Sequence, residues 1–500
     1  MEMQNFAPIM FAGLVIVMLI GFPVAFSLAA LGLGCGFYAI EMGWFPAAFM
    51  GNLPISIFSI LNNDLLLAIP FFTFMGTILE KCGLAEDMLD SMGQLFGPIR
   101  GGLGYSVIIV GFILGAITGT VAGQVIAMAL ISLPVMIRYG YNMRYATGVL
   151  AASGTITQLV PPSLVLVVLA DQLGRSVGDM YKGAWGPSLL QIAMFALYTF
   201  ALSMVKPHHV PGVPLEARTL NGWPLWRKCL KGIIPSAVLI FTVLGSMGGL
   251  PFQDHAVATP TEAGAMGVVG ALILAAMHKR LSTSLLWEAM HGTMRLTAMV
   301  VFILIGSRVF SLVFQGVDGA IWVEHLLSGL PGGQVGFLIV VNIFVFFLAF
   351  FLDFFEIAFI IVPMLAPVAE KMGIDLIWFG VLLCVNLQTS FMHPPFGFAL
   401  FYLRGIADTL YKEKRIAIPV KSNDIYLGSI PWVIMQLLLV LVVIFVPQSV
   451  TAFLDKAEAV DINSVVLEAA PAADDTTEDG RPTEDPMKDM QPPSPPGGNK

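Results

Sequence analysis

Two prolines stand side by side twice in this chain, Pro161-Pro162 in TQLVPPSLVL and Pro394-Pro395 in SFMHPPFG, each within a segment apolar enough to cross a membrane. A proline inside a helix removes one backbone hydrogen bond and clashes with the carbonyl a turn back. In a bilayer such freed polar backbone is tolerated only where it is buried in protein or lines a wet cavity. Small oxygen-bearing residues accompany both breaks. Thr118, Thr120, Ser153, Thr155, Thr157 and Ser163 surround the first; Asp353, Asn386, Gln388, Thr389 and Ser390 surround the second. Hydroxyls, amide oxygens, one carboxylate and freed carbonyls are hard donors suited to a hard cation, and Na+ is the natural candidate. The candidate sodium ligands are therefore Thr118, Gly119, Thr120, Ser153, Thr155 and Pro161 in one half, and Asp353, Asn386, Thr389, Ser390 and Pro394 in the other. Two plainer readings stay open: a kink used for packing, and hydroxyls that join helices to one another.

Ionisable residues in apolar segments are costly and default to function. Arg308, in LIGSRVFSLVF, offers a planar fork of donors to a carboxylate, or is neutralised by Asp353 or Glu356. His393 precedes the second proline pair, either as a neutral histidine with satisfied hydrogen bonds or as a proton-sensitive group. Arg308, Thr120, Ser163, Asp353 and His393 are the candidate substrate contacts. Asp64 sits beside Asn62 and Asn63, and Glu262 follows ATPT near a span start, where helix capping suffices to explain it.

The elements that must position these residues are set by composition. Of 500 residues, 57% are hydrophobic and 12% charged, with mean hydropathy +0.83, against about 25% charged in soluble domains. An all-α polytopic membrane protein is expected. The 50 glycines and 32 prolines imply that many of its helices are interrupted. The net charge of -8 resides mostly in residues 455–500, with eleven acidic and four basic residues, so it says nothing about substrate. That proline-rich tail reads as disordered, and nothing in the chain points to nucleic acid as a partner. Cys35, Cys82, Cys229 and Cys384 are isolated, which argues against a disulfide framework or a zinc site.

Phe6 to Ile40 is an uncharged run of roughly 52 Å as one helix, too long for a single span, and Gly21-Phe22-Pro23 divides it. The N-terminus lacks a basic n-region and reads as a first span. Residues 103–138 form another uncharged run with GAITGTVAG at its centre. Its short arms suggest a re-entrant hairpin, echoed by 336–367. Five regions follow: N-terminal scaffold spans 1–60; a first repeat 61–231 with hairpin 103–138 and broken span 143–170; scaffold spans 232–293; a second repeat 294–446 with hairpin 336–367 and broken span 376–403; and the tail 447–500. With the N-terminus outside, seventeen of the twenty-one basic residues before the tail fall inside, so the positive-inside rule places both termini in the periplasm of a Gram-negative cell.

The halves share an offset. Pro161, Pro162, Pro134 and Gly140 recur at one constant interval as Pro394, Pro395, Pro367 and Gly373. In this topology the two proline-bearing spans run oppositely, which makes the repeat inverted, a known plan for secondary transporters with mid-membrane sites. No P-loop for an ATP-driven pump and no His-Glu-x-x-His or comparable enzyme motif occurs. A channel fits paired half-site breaks less well than a carrier.

At these residues the chain resembles the large membrane subunit of tripartite ATP-independent periplasmic (TRAP) transporters. The pieces that carry the resemblance include GLVIVMLIGFPVAFSLAALG, GPIRGGLGYSVIIVGFILGAITGT, AASGTITQLVPPS, ATPTEAGAMG and NLQTSFMHPPFG. The resemblance implies sodium-driven import of a small organic acid delivered by a periplasmic substrate-binding protein, with a small TRAP membrane subunit as partner in the bacterial inner membrane. It also implies two oppositely oriented hairpins in a transport domain of elevator type, with Asp353 at the second tip. The chain has Thr118-Gly119-Thr120 where similar members have Ser-Gly-Ser, and His393 where they often have Thr. A self-sufficient ion-coupled carrier is the alternative, and an intramembrane enzyme a more distant one.

Overall fold

The computed structural model describes residues 3–454 apart from 215, 217–221, 252, 254, 351 and 396, and apart from the side chains of Gln4, Ile117 and Thr118. Of the tail expected over 447–500, residues 447–454 are described and carry a short helix at Gln448–Thr451, and the rest lies outside the described residues. Among those described, every regular element is helical. Among the described residues seven helices are long and apolar enough to cross a membrane, or up to nine if each of two bent helix pairs forms one span. Side chains exposed on these helices, such as Phe26, Leu197, Phe241, Ile273 and Leu438, are themselves apolar, as a surface facing lipid requires.

Helix α1 (Phe6–Ile20) ends at Gly21, which takes φ +88°, and α2 (Val24–Glu41) begins after Pro23. The long uncharged run is thus two elements, broken where glycine supplies the left-handed turn. Next come α3 (Asn52–Leu61) and α4 (Asp64–Lys81), capped by the Asn63 side chain, then the amphipathic α5 (Leu84–Phe96). Helices α6 (Gly102–Thr118) and α7 (Val121–Arg138) form the first hairpin. The first broken span is α8 (Met143–Thr155), a 3-10 turn at Ile156–Gln158, and α9 (Leu164–Leu173). The 29-residue α10 (Val177–Val205) closes this half.

The connecting spans are α11 (Trp223–Ser246), α12 (Pro260–Met277), α13 (Thr283–Gly316) and α14 (Gly319–Ser328). The second hairpin consists of α15 (Gly333–Leu348) and an arm that starts as α16 (Phe354–Glu356), passes through a π-helical turn at Ile357–Ile361 and ends as α17 (Val362–Lys371). The second broken span is α18 (Leu376–Ser390) and α19 (Phe398–Lys412), followed by α20 (Ser422–Phe445) and α21 (Gln448–Thr451).

Two packing groups result. Helices α2, α4, α12 and α13 lie side by side, with α2 and α13 parallel. A Cβ on Gly32 would stand 2.9 Å from the Phe310 backbone nitrogen, and one on Gly306 2.4 Å from the Ala25 carbonyl. Where lipid supplies no hydrophobic drive between helices, such close backbone approach is how they gain contact. In the second group, hairpins and broken spans surround the two breaks.

The structure extends the interval seen in the sequence. Pro134 and Pro367 both lie within second arms. Gly140 and Gly373 both close those arms with positive φ, +77° and +74°. Asn142 and Asp375, related by the same interval, both cap the helix that follows: Asn142 Oδ1 accepts from Arg144 N at 3.0 Å, Asp375 Oδ1 from Trp378 N at 2.8 Å. Helices α9 and α18 run antiparallel, since Gly380 lies against Leu173 while Cys384 Sγ donates to the Gln158 carbonyl at 3.1 Å. The four cysteines form no disulfide.

Candidate functional site

The first tip is Gly119 (φ +63°) and Thr120, whose extended backbone starts α7 without a side-chain cap bond. One turn along, the buried Gln124 joins hairpin to break. Its Nε2 donates to the Gly111 carbonyl at 2.6 Å and the Ser153 carbonyl at 2.7 Å, and its Oε1 accepts from the Thr157 hydroxyl. The hydroxyls of Ser153 and Thr155 donate to helix carbonyls one turn back, Leu150 and Ala152, each at 3.0 Å. Ser163 caps α9 by accepting from Val165 N at 3.2 Å while donating to the Gln158 carbonyl. Residues 144–170 around the break are buried almost throughout, and the Pro161-Pro162 peptide is cis. Thr120 and Gly119 meet Thr73 of α4 and Pro162 around a cavity of about 10 Å³. Thr118 is a sequence candidate whose side chain lies outside the described residues.

The second tip is built differently. Asp353 caps α16 in a reciprocal box, accepting from Glu356 N at 3.0 Å while Glu356 Oε2 accepts from Asp353 N at 3.0 Å. Asn386 Nδ2 donates to the Asn342 carbonyl of α15 at 2.8 Å, so α15 lies against α18 as α6 lies against α8. Thr389 and Ser390 donate to helix carbonyls at 2.7 and 2.5 Å. Each hydroxyl spends its one proton this way and keeps oxygen lone pairs for a cation. The Pro394-Pro395 peptide is cis, like its counterpart.

His393 departs from the satisfied-histidine reading. It is 4% exposed, it stands 3.8 Å between ring centroids from Phe350 and 5.5 Å from Phe346, and neither ring nitrogen has a hydrogen-bond partner among the described residues. A buried polar group left so is costly unless something else completes it. Thr155 Oγ1 and Met392 Sδ lie 3.5 Å apart, so the two breaks touch.

Arg308 is not brought to the tips. It is exposed, among the described residues it makes no ion pair with Asp353 or Glu356, and those two acids bond each other's backbone instead. Arg308 lines a cavity of about 690 Å³ with Asn63, Asp171, Ser311, Gln315 and Glu324, bounded by Pro363 and Pro367 of the second hairpin. Neutralisation by the tip acids is thereby excluded in this conformation. The capping explanation holds for Glu262: its carboxylate accepts from Thr259 N at 2.8 Å, and its backbone N donates to Thr259 Oγ1 at 3.3 Å.

Sequence reasoning passed over Gln124, Gln191, Asn342 and Gln436, all buried. Their signal was an amide within an apolar span, where a polar group must find a partner. Among the described residues no group of three or more His, Cys, Asp or Glu side chains is placed to hold a metal ion. Hydroxyls, amides and carbonyls at the breaks fit a weakly held alkali cation better than a tightly chelated transition metal.

Residues 11–449 match the family model described as tripartite ATP-independent periplasmic transporter, DctM component. The chain is 27% identical over 458 residues to the C4-dicarboxylate TRAP transporter large permease protein of Rhodobacter capsulatus, covering 88% of this chain and 97% of that one. It is 25% identical over 431 residues to the 2,3-diketo-L-gulonate TRAP transporter large permease protein of Escherichia coli K12, covering 86% and 94%. Among solved structures, the YdaH transporter of Alcanivorax borkumensis superposes with TM-score 0.56 at 14% identity, covering 87% of this chain and 98% of that one, a likeness of fold alone.

Proposed function

The chain belongs to the DctM component family of tripartite ATP-independent periplasmic transporters, and from that premise we propose that it is the large permease of a sodium-coupled importer of an organic acid. The observation that carries this reading is the pair of helix breaks, each faced by a hairpin tip. Each break gathers oxygen donors in buried surroundings, and the two halves stand in opposite directions, as inverted-repeat carriers arrange their mid-membrane sites.

Sodium enters as a transported co-substrate. In the first half Thr118, Gly119, Thr120, Ser153, Thr155 and the Pro161 region supply its oxygens; in the second, Asp353, Asn386, Thr389, Ser390 and the Pro394 region do. The acid lies between the tips, reached by Thr120 and Ser163 from one side and Asp353 and His393 from the other. Its polar atoms complete the unpartnered imidazole. Arg308 draws the carboxylate into the larger cavity, where a planar fork binds two oxygens at once.

Hairpins and broken spans move as one body against α2, α4, α12 and α13. The cavity of about 690 Å³ opens beside the point where α13 meets the second hairpin, Ser307 Oγ donating to the Phe359 carbonyl at 2.6 Å, which is where such movement needs room. A small TRAP subunit and a periplasmic binding protein complete the system in the bacterial inner membrane, with both termini on the periplasmic side. The relatives' named cargoes, a C4-dicarboxylate and a diketo sugar acid, both carry carboxylates, which supports that substrate class.

The reading is tested by uptake of labelled organic acids into proteoliposomes holding this chain and its small subunit, with the binding protein outside and a sodium gradient imposed or absent. Uptake that needs both is expected. Uptake indifferent to sodium overturns the coupling, and uptake without the binding protein makes the chain a self-sufficient carrier.

A further inference from the structure

Two glutamines on unbroken spans reach across the molecule to the breaks. Gln191 of α10 donates its Nε2 to Gln388 Oε1 at 2.8 Å, and Gln436 of α20 donates its Nε2 to Thr155 Oγ1 at 2.9 Å. All four residues are at most 1% exposed. The acceptors are equivalent, since Thr155 and Gln388 are related by the interval that relates the two proline pairs, and each is the thirteenth residue of its helix, counted from Met143 and from Leu376. The donors are equivalent too: each is the fifteenth residue of its helix, counted from Val177 and from Ser422. Both contacts cross between halves. The first half's last span grips the second half's broken helix, and the second half's last span grips the first.

The packing around these bonds repeats as well. Helices α8 and α20 run parallel, with Gly148 and Gly428 in contact and Arg144 Nε 3.2 Å from Asp424 Oδ1. Helices α10 and α18 run parallel, with Gly183 against Ile377 and Val381. A Leu at either donor position would fill such apolar surroundings with no amide of its own to satisfy. Here Gln191 Oε1, Gln436 Oε1 and Gln388 Nε2 lack partners among the described residues. A cost of that kind accompanies a specific use.

We infer that Gln191 and Gln436 are positioning residues that hold each half's break in register with the other half, so that occupation of one break is felt at the second. The route is short: Gln436 fixes Thr155, the last residue before the first break, and Thr155 touches Met392 beside His393. This inference rests on the reading of the breaks as the sites of sodium and acid.

The test measures half-saturating sodium, half-saturating acid and melting temperature for Gln191→Leu, Gln436→Leu and the double variant Gln191→Leu with Gln388→Leu, in the reconstituted system. Methionine at 191 and 436 serves as a second, more adaptable replacement where leucine impairs folding. Each single variant is expected to raise both half-saturation values about fivefold, the shift from losing one net hydrogen bond, and to lower the Hill coefficient for sodium towards one. The double variant leaves no amide unpaired at that contact but also lacks the bond, so it is expected to recover the melting temperature while keeping both half-saturation values raised about fivefold. Single variants with a lowered melting temperature but wild-type half-saturation values would reduce the contacts to packing and overturn the inference, as would a double variant whose half-saturation values return to wild type without the bond. Wild-type uptake that ignores sodium would remove the ion reading by itself, while the acid half-saturation values would still decide whether these residues couple the breaks.

Discussion

The two breaks share a backbone plan and differ in how their side chains complete it. At the first, amide and hydroxyl groups are stitched into one hydrogen-bonded unit around Gln124, which joins Gly111, Ser153 and Thr157. At the second, the position equivalent to Gln124 is occupied by Ile357, aromatic rings pack the tip, and His393 is buried without a partner among the described residues. Paired glycines, prolines and caps shape both halves alike, so shape is what the repeat preserves. The chemistry has diverged: the first break bonds most of its polar side chains to one another, with Gln158 Oε1 left without a partner among the described residues, and the second leaves both ring nitrogens of His393 so.

That comparison breaks first at Gln124. Gln124→Leu is expected to lose about 2–3 kcal/mol of stability by orphaning buried partners and to abolish uptake. Ile357→Leu should cost under about 1.5 kcal/mol, as volume-conserving core swaps do. Melting of both variants in detergent checks this; equal losses would mean that the halves are held alike. Asp353→Ala removes an N-cap and should cost about 1–2 kcal/mol, whereas Thr120→Ala has no cap bond to lose and should stay within about 0.5 kcal/mol of wild type. Thermal denaturation of this pair side by side gives the answer.

The shared plan is sharpened by Gly140→Ala and Gly373→Ala. Both force a Cβ into positive φ, and each should cost about 1 kcal/mol, equally. Unequal melting shifts would show that the closing turns are not equivalent. Arg308→Lys should leave stability unchanged and raise the half-saturating acid concentration about threefold, through loss of the two-pronged contact. Kinetics indistinguishable from wild type would remove Arg308 from the acid's path.

Much of this was legible in the chain because proline and glycine carry backbone information locally. Pro161, Pro394, Gly140 and Gly373 marked the breaks and closing turns, and Glu262 three residues after Thr259 spelled out its own cap. The partners of buried polar groups were illegible. Gln191 and Gln436 lie further apart along the chain than the two breaks do, because α19 is longer than α9 and the link before α20 longer than the one before α10, so the interval between the breaks does not reveal them. The isolation of His393 likewise follows from the rings that surround it, and of the two alternatives for Arg308, neutralisation by Asp353 or Glu356 is not found, since those acids cap one helix together.

The most direct test of this asymmetry is the sodium and acid dependence of uptake in Thr120→Ala and His393→Val, the latter placing in the second break the residue found at Val160 in the first. Thr120→Ala is expected to raise half-saturating sodium about tenfold, equivalent to about 1.4 kcal/mol, and half-saturating acid by no more than about twofold at saturating sodium. His393→Val is expected to do the reverse. If both variants shift sodium alike and spare the acid, the breaks are two copies of one ion site, and the division between a first break for the ion and a second completed by the acid is wrong.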